Sequence, residues 1–291
     1  MAYVAITGGA RGIGAATARA FAAKGHPVAI GDIDAELATK TAAEISADSG
    51  TAVIGLPLDV TGRESFTGFL DTAESELGGL DVLVNNAGIM PTGLLLDEPD
   101  GVTDRQLDIN VRGVILGSKL GGRRFAERGR GHLVNIASVA GHAAAPGVAV
   151  YCAGKHAVVG LDIALRQELK PHGVRVSTIC PGFVNTELIS GLSPNWLIRQ
   201  IAYVQPEDVA AAIVRVVERG KGGIRFVPRI AGGNLKLLSL LRENTRNGVL
   251  RLLGLHDVTL HSDEPVRGAY RARTENLDLD SVRGRDQRQA S

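Results

Sequence analysis

Tyr151 and Lys155 are four residues apart in a stretch of helical periodicity, so their side chains share one helix face about one turn apart. A free phenol has a pKa near about 10, and a neighbouring cation lowers it by stabilising the phenolate. Ser138 follows an apolar run, and its hydroxyl is suited to hold a substrate oxygen. These residues predict a proton-transfer site, although the pair alone also fits an exposed helix and Ser138 alone an ordinary loop serine.

A glycine-rich turn follows the first apolar run of the chain. Gly8 permits a tight turn, Gly12 lets the backbone approach a pyrophosphate, and Gly14 allows close packing of the following helix. The helix N-terminus supplies N–H donors and a favourable dipole. Three glycines alone also fit a plain turn, and it is their position between strand and helix that favours a dinucleotide site.

Asp32 and Arg11 bear on which dinucleotide is bound. Asp32 follows the second strand, 18 residues after Gly14, at the spacing of a carboxylate that binds ribose hydroxyls and repels a 2′-phosphate. Asp32 also fits a helix cap, but Asp34 is the better cap. Arg11 beside the glycine turn is suited to a 2′-phosphate. We favour NAD over NADP.

Short apolar runs alternate with longer helical segments along most of the chain. The runs are rich in Val and Ile without polar alternation, which is typical of strands buried on both faces of a parallel sheet. The predicted fold is α/β, a doubly wound parallel sheet with ligands at the carboxyl ends of the strands. Seven strands are predicted, at 3–7, 28–31, 52–58, 82–84, 132–136, 174–179 and 224–227. Six helices are predicted, at 13–24, 35–49, 63–77, 104–128, 150–169 and 206–219.

Composition narrows the class of protein. The 291 residues are 44% hydrophobic with a net charge of +1, which fits a well-buried core and gives no overall field for nucleic acid. Two cysteines, no signal-like N-terminus and no long apolar run predict a cytoplasmic protein.

The chain is predicted to divide into three parts. Residues 1–228 form the catalytic domain, 229–261 a helical extension with leucines at helical spacing, and 262–291 a mobile charged tail. Two short amphipathic helices are expected in the extension.

Taken together, the motifs resemble the short-chain dehydrogenase/reductase family in its short single-domain form, over about residues 2 to 228, with a C-terminal extension. The matching motifs are Thr7-Gly8-x-x-x-Gly12-x-Gly14, Asp59-Val60, Asn85-Asn86-Ala87-Gly88, Asn110, Ser138, Tyr151-x-x-x-Lys155 and Pro181-Gly182-x-Val184-x-Thr186.

The resemblance implies four catalytic roles. Tyr151 exchanges the proton with the substrate hydroxyl or carbonyl, and Ser138 hydrogen-bonds the same oxygen. Lys155 binds the nicotinamide ribose and tunes Tyr151, while Asn110 positions a water that links Lys155 to solvent. Asn110 also fits a polar residue that merely bends a helix.

The resemblance also implies the cofactor contacts. Asp59 and Val60 meet the adenine, residues 86–88 line the adenosine side, and Ile13, Val184 and Thr186 touch the phosphates and the nicotinamide amide. Asn85 is expected to tie strands together. The whole predicted cofactor set is Gly8, Arg11, Gly12, Ile13, Gly14, Asp32, Asp59, Val60, Asn86, Ala87, Gly88, Tyr151, Lys155, Pro181, Gly182, Val184 and Thr186. No metal site is predicted, because His132, His142 and His156 lack ligand spacing.

The chain departs from the family after its last strand. Many short-form members end in a Val-Asp-Gly-Gly segment that closes a tetramer, whereas residues 226–229 here read Phe-Val-Pro-Arg, so a dimer is favoured over a tetramer. Members of this kind often act on bulky apolar alcohols or ketones such as steroids, retinoids or other lipids. The leucine-rich helices are expected to roof such a pocket, and residues 188–204, with Trp196, to form its lid or to pack permanently on the domain. Peripheral membrane contact through Arg242, Arg246 and Arg251 is a less favoured role for these helices.

Three functions follow from these motifs. The first is an NAD(H)-dependent oxidoreductase that interconverts a bulky apolar secondary alcohol and a ketone, or an alcohol and an aldehyde. The second is an NADPH-dependent carbonyl reductase, in which Arg11 outweighs Asp32. The third is a catalytically silent nucleotide-sensing or scaffold protein, against which the intact set of Asn110, Ser138, Tyr151 and Lys155 argues.

Overall fold

A computed structural model of the chain describes residues 1–192, 196–238, 240–252, 254–260, 267, 268, 270, 272 and 274. Its main sheet has seven parallel strands in the order β3-β2-β1-β4-β5-β6-β9. These strands are β1 (Val4–Thr7), β2 (Val28–Asp32), β3 (Val53–Pro57), β4 (Val82–Asn85), β5 (Gly131–Ile136), β6 (Val174–Pro181) and β9 (Gly223–Val227). The predicted fold class, a doubly wound parallel sheet, is confirmed.

Helices cover both faces of the sheet, as strands without polar alternation require. The main helices are α1 (Gly12–Ala22), α2 (Ala35–Ser49), α3 (Arg63–Leu77), α4 (Asp100–Leu107), α5 (Val114–Glu127), α6 (Ala149–Glu168), α7 (Trp196–Ala202) and α8 (Pro206–Arg219). One core cluster joins the sheet to α1, α2 and α8, and a second joins it to α3 and α5.

Local signals in the sequence explain where several helices begin and end. Asp34 caps α2 by accepting a hydrogen bond from the Leu37 amide at 3.1 Å, as predicted. Gly50 ends the same helix with φ +66°, a conformation that favours glycine. Pro206 begins α8, where a proline replaces an amide that the helix leaves unpaired. The bounds of α2, α3 and α8 are those predicted from the sequence.

The single helix predicted over 104–128 is three pieces in the structure. A π-helical turn, Asp108–Gly113, lies between α4 and α5. Asn110 is in this turn, and π-helical turns inside helices occur frequently at functional sites. The apolar periodicity continues through the turn, which is why the sequence predicted one helix.

Two short strands were not predicted. They are β7 (Phe183–Val184) and β8 (Tyr203–Val204), and they pair in parallel beside the main sheet. Together they bracket the segment that contains α7. A two-residue strand has no alternation to detect, so sequence periodicity does not reveal it.

The described residues of the helical extension form three helices, where two were expected. They are α9 (Arg229–Leu238), α10 (Glu243–Leu252) and α11 (Leu255–Leu260). Most of the predicted tail, 262–291, lies outside the described residues, but Arg267, Tyr270 and Thr274 are helical and buried. In the part of the chain that the structure describes, no helix is long and apolar enough to cross a bilayer.

Candidate active site

A cleft of about 580 Å³ opens at the carboxyl ends of the strands. It lies where the strand order reverses, between β1 and β4, which is the usual ligand position in an open parallel sheet. All the residues predicted to bind cofactor or act in catalysis line this cleft except Gly14 and Asn110. Both of these residues support neighbours that do line it.

The glycine turn forms the floor of one end of the cleft. Gly8 and Gly12 have φ values of +62° and +54°, which residues with a Cβ rarely adopt. A Cβ on Gly14 would lie 2.1 Å from the carbonyl oxygen of Gly8, so α1 approaches the turn too closely for any larger residue. The amino end of α1 therefore faces the cleft with its N–H groups available for an anion.

The loop after β4 is tied to this turn through its backbone. The amide nitrogens of Asn86 and Ala87 both donate to Thr7 Oγ1 at 3.0 Å. The side chain of Asn86 donates to the carbonyl oxygens of Thr7 and Gly8, each at 2.9 Å. Asn85 instead bonds Asn135 on β5 at 2.8 Å, so it ties strands together as predicted.

Asp32 and Arg11 lie on the cleft wall beside the turn. The carboxylate of Asp32 accepts from the amides of Ala10 at 3.1 Å and Asp34 at 3.2 Å, which fixes its orientation. Arg11 Nη2 lies 2.6 Å from Asp34 Oδ2, and Nη1 lies 3.6 Å from Glu187 Oε2. The guanidinium is therefore already paired with two carboxylates.

The predicted proton-transfer residues meet at the other end of the cleft. Tyr151 and Lys155 lie on α6 and are buried, with Lys155 Nζ 5.6 Å from the centre of the tyrosine ring. Ser138 follows β5, accepts a hydrogen bond from the Ala140 amide at 3.1 Å, and is hydrogen-bonded to Tyr151. The phenol and the serine hydroxyl thus face one small volume in which a substrate oxygen can bind.

Burial shifts the pKa values of both Tyr151 and Lys155. Burial raises the pKa of Tyr151 above its usual value, and the hydrogen bond with Ser138 offsets part of that rise. Burial also lowers the pKa of Lys155 to about 8. Lys155 Nζ donates to the carbonyl oxygen of Ile136 at 2.8 Å and lies 5.6 Å from the centre of the Tyr151 ring, and its effect on the pKa of the phenol stays a prediction.

Asn110 acts on the loop after β4. Its amide nitrogen donates to the carbonyl oxygen of Ile89 at 2.8 Å, and its amide oxygen accepts from the Ile89 amide at 2.9 Å. A Cβ on Gly88 would lie 3.0 Å from Asn110 Oδ1 and 3.6 Å from Lys155 Nζ. The π-helical turn therefore brings Asn110 close to Lys155 and holds the loop that passes between them.

The catalytic end of the cleft is mainly apolar. Tyr151 packs in a buried cluster with Met90, Val148, Ile189 and Leu192, among others. Leu188 and Ile189 from the predicted lid line the cleft. Trp196 is 75% exposed and does not line it, so among the described residues of the predicted lid those that face the site are in its first part.

Among the described residues, the leucine-rich helices do not roof the pocket as expected. Leu237 and Leu240 are 67% and 79% exposed, and no described side chain of α9 or α10 lines the cleft. Thr259, Tyr270 and Thr274 line it instead, and buried Arg267 lies beside them. We call these four residues the C-terminal roof. Thr259 belongs to the predicted helical extension, whereas Arg267, Tyr270 and Thr274 were missed because a polar and arginine-rich composition indicated a solvated tail.

The three histidines make hydrogen bonds or contacts with different partners. His132 is buried and bonds Ser177 at 2.9 Å, whereas His142 contacts Cys180 at 3.7 Å. His156 contacts the carbonyl oxygen of Cys152 on its own helix. Within the described ranges, no three His, Cys, Asp or Glu side chains gather as metal ligands.

A protein-family model matches most of the chain. The family model described as short chain dehydrogenase matches residues 2–195. The chain belongs to the short-chain dehydrogenase family. The resemblance read from the motifs is thereby confirmed, and the matched region ends before α9, so the C-terminal roof lies beyond it.

Several relatives carry names of oxidoreductases. A 3-alpha-(or 20-beta)-hydroxysteroid dehydrogenase from Mycobacterium tuberculosis is 43% identical over 183 residues, 63% of this chain and 69% of that protein. A 2-(S)-hydroxypropyl-CoM dehydrogenase 3 from Xanthobacter autotrophicus is 38% identical over 223 residues, 72% of this chain and 87% of that protein. "Probable oxidoreductase EphD" from Mycobacterium tuberculosis is 41% identical over 188 residues, 64% of this chain, and the match spans only 32% of its length.

A solved structure has the same fold. It is a short-chain type dehydrogenase/reductase from Mycobacterium marinum, with 33% identity and a TM-score of 0.66. The alignment covers 72% of this chain and 86% of that one. The sheet and the cleft therefore belong to a fold shared within the family.

Proposed function

We propose that the protein is an NAD(H)-dependent oxidoreductase that interconverts a bulky apolar secondary alcohol and the corresponding ketone. The observation that carries the proposal is the position of Tyr151 and Ser138 at one end of a cleft whose other end has a dinucleotide-type glycine turn. NAD, when bound, accepts or supplies the hydride. The residues of the chain bind both molecules and move the proton.

Tyr151 is the proposed general acid and base. In the oxidation direction its phenol oxygen takes the proton from the substrate hydroxyl, and in reduction it returns that proton to the carbonyl oxygen. Ser138 donates a hydrogen bond to the same substrate oxygen and so stabilises charge that develops on it. Burial of both side chains excludes water, which strengthens these interactions.

Two observations support NAD over NADP. Asp32 is held at the end of β2 by two backbone amides, and it presents a carboxylate where an adenosine ribose is expected. Arg11, the cation best placed to bind a 2′-phosphate, is paired with Asp34 and Glu187. A 2′-phosphate would meet the negative charge of Asp32 without a free guanidinium to offset it.

The apolar lining supports a large, non-polar substrate. Met90, Val148, Leu188 and Ile189 all line the cleft around Tyr151. Burial of apolar surface contributes roughly 25 cal/mol per Å² to binding, so a hydrocarbon group gains most from this wall. The name of the 43%-identical hydroxysteroid dehydrogenase fits this class of substrate.

The test is the Tyr151→Phe variant assayed with a 3α-hydroxysteroid and with 2-octanol. We expect kcat to fall by about 10²- to 10⁴-fold, the usual contribution of general acid–base catalysis, because phenylalanine has no proton to exchange. NADH affinity, measured by fluorescence titration, should remain within about twofold. Tyr3→Phe is the matched control, since Tyr3 packs against Gly79 away from the cleft.

Two outcomes would contradict the proposal. Unchanged turnover in Tyr151→Phe would exclude the mechanism, and absence of any turnover in a wild type that still binds NADH would favour a nucleotide-sensing or scaffold protein. Tighter binding of NADPH than of NADH in the same titration would show that Arg11 outweighs Asp32.

A further inference from the structure

The C-terminal roof closes the catalytic end of the cleft from outside the matched family region. Thr259, Tyr270 and Thr274 line the same cleft as Tyr151. Residues 2–195 match the family model, so the roof is contributed by an addition to the family fold. A wall that faces the reacting residues decides which substrate groups fit beside them.

Arg267 joins the roof to two loops of the catalytic domain. Its side chain is fully buried, and Nη2 donates to the carbonyl oxygen of Met90 at 2.7 Å. Nη1 donates to the carbonyl oxygen of Ser190 at 3.0 Å and to that of Leu188 at 3.4 Å. One guanidinium therefore bridges the loop after β4 and the loop after β7, a task for which its planar fork is suited and the single ammonium of lysine is not.

Tyr270 interacts with both Arg267 and the reacting phenol of Tyr151. Its hydroxyl accepts a hydrogen bond from the Met90 amide at 2.8 Å, and the guanidinium of Arg267 lies 5.3 Å from its ring centre. Tyr270 is near enough to Tyr151 that its phenol contributes to the raised pKa of that residue. A substrate group that extends from the reacting carbon toward the roof meets the Tyr270 ring.

Further contacts hold the roof in register. Thr259 Oγ1 donates to the carbonyl oxygen of Pro146 at 2.6 Å, and Arg105 Nη1 donates to that of Thr274 at 2.6 Å. Gly147 has φ +77°, and a Cβ there would lie 2.7 Å from the carbonyl oxygen of Thr259. The approach of α11 to the loop before α6 thus depends on a glycine at 147.

We propose that the C-terminal roof is the substrate-selecting wall of the active site, with Tyr270 as the residue that contacts the substrate and Arg267 as the positioning residue. This inference deepens the proposed function. Its test with substrates, the substrate arm, rests on that function. The wall sets an upper limit on the group carried by the reacting carbon. Arg267 keeps that limit by holding both loops against the wall.

The substrate arm compares Tyr270→Ala with Tyr270→Phe in the full chain. The probes are 2-propanol, 2-octanol and a 3α-hydroxysteroid with NAD. In Tyr270→Ala we expect the ratio of kcat/KM for the steroid to that for 2-propanol to change tenfold or more, with NADH affinity within twofold. Tyr270→Phe should keep most of the wild-type ratio, because the ring remains. Tyr3→Ala is the matched control, and a ratio within twofold in Tyr270→Ala would overturn the role of Tyr270.

The positioning arm needs no turnover. The amides of Ile189, Ser190 and Leu192 donate to nearby carbonyl oxygens, so their hydrogen exchange reports opening of this loop. In Arg267→Met we expect peptides over 187–192 to exchange tenfold faster or more, while β1 and β4 keep their wild-type rates. Arg215→Met, at an exposed position on α8, is the matched control.

Arg267→Lys is a second variant that tests the positioning role if Arg267→Met does not fold. It keeps the charge but cannot bridge both loops, so exchange over 187–192 should still accelerate and KM should rise more than kcat falls. Unchanged exchange in a folded Arg267 variant would overturn the positioning role. If the wild type turns over none of the alcohols, the proposed function fails while the exchange result still decides whether Arg267 holds the wall.

Discussion

The two sides of the cleft are built in different ways. The cofactor side, with Gly8, Asp32 and Asn86, lies at the ends of adjacent strands and is held by hydrogen bonds between short side chains and the backbone. The C-terminal roof lies outside the strands and is held by long side chains, as Arg267 reaches the carbonyl oxygen of Met90. The first side is therefore inseparable from the sheet, whereas the roof can vary without altering the sheet. The cofactor side lies within the region that matches the family model, and the roof lies beyond it.

Lys155→Met gives the largest expected effect, because it changes a residue of both the predicted catalytic and cofactor sets and leaves the roof unchanged. We expect kcat/KM to fall by about 10²-fold or more, because a cation beside Tyr151 is lost. Burial lowers the pKa of Lys155 from 10.5 to about 8, so at pH 7 the buried ammonium destabilises the folded state by about 3 kcal/mol. That loss is recovered as pH rises from about 8 to 10.5, since over this range the folded state binds fewer protons than the unfolded chain.

The measurement for Lys155→Met is kcat/KM together with chemical denaturation at pH 7 and pH 10. The variant should be more stable than the wild type at pH 7, and the gain should shrink at pH 10. Lys119→Met, at an exposed position on α5, should change neither quantity. A Lys155 variant that is less stable and fully active would contradict this view of the cofactor side.

Asp32→Ala tests the selectivity of the cofactor side for NAD. A hydrogen bond to a charged group contributes about 1.5–3 kcal/mol, so NADH affinity should fall by about 10- to 100-fold. NADPH affinity should rise, because the carboxylate no longer repels a 2′-phosphate. Fluorescence titration of both cofactors measures the change, and Asp48→Ala, on the exposed side of α2, is the control. An unchanged preference would place the selectivity elsewhere.

Thr259→Val gives the smallest expected effect, and it changes a residue of the roof alone. It removes the hydrogen bond to the Pro146 carbonyl oxygen while keeping the side-chain volume, a loss of about 1 kcal/mol. The midpoint of thermal unfolding should fall by about 2–4 °C, and NADH affinity should not change. Thr39→Val, at an exposed position on α2, should leave the midpoint within 1 °C, roughly the effect of an ordinary surface substitution. A large loss of NADH affinity in Thr259→Val would show that the two sides are not independent.

The sequence predicts the cofactor side well and the roof poorly, for one physical reason. Gly8, Asp32 and Ser138 are positioned by the strand that each follows, so local periodicity is enough to bring them together. Arg267 is buried because carbonyl oxygens about 80 and 180 positions away accept its hydrogen bonds, and nothing near it in sequence indicates that partnership. The leucines of α9 show the converse, since their helical spacing predicted burial and the structure leaves Leu237 exposed.

The π-helical turn that contains Asn110 was missed for a similar reason. The apolar pattern of 104–128 correctly predicts helix, but the π-helical turn depends on the pair of hydrogen bonds that Asn110 makes with Ile89. Local propensity does not encode a contact of that kind. The predicted catalytic set was identified by its motif, and only the fold shows that Asn110 supports the site without lining the cleft.

The order of the chain has a consequence for its synthesis. A ribosome makes the protein from the amino end, so every residue of the glycine turn, Asp32 and Tyr151 is available to fold before Arg267 has been added. The nascent protein therefore passes through a stage in which a dinucleotide can bind in a cleft that is still uncovered. A message truncated after α10 would produce that stage as its final product, a protein that has the cleft but lacks the C-terminal roof.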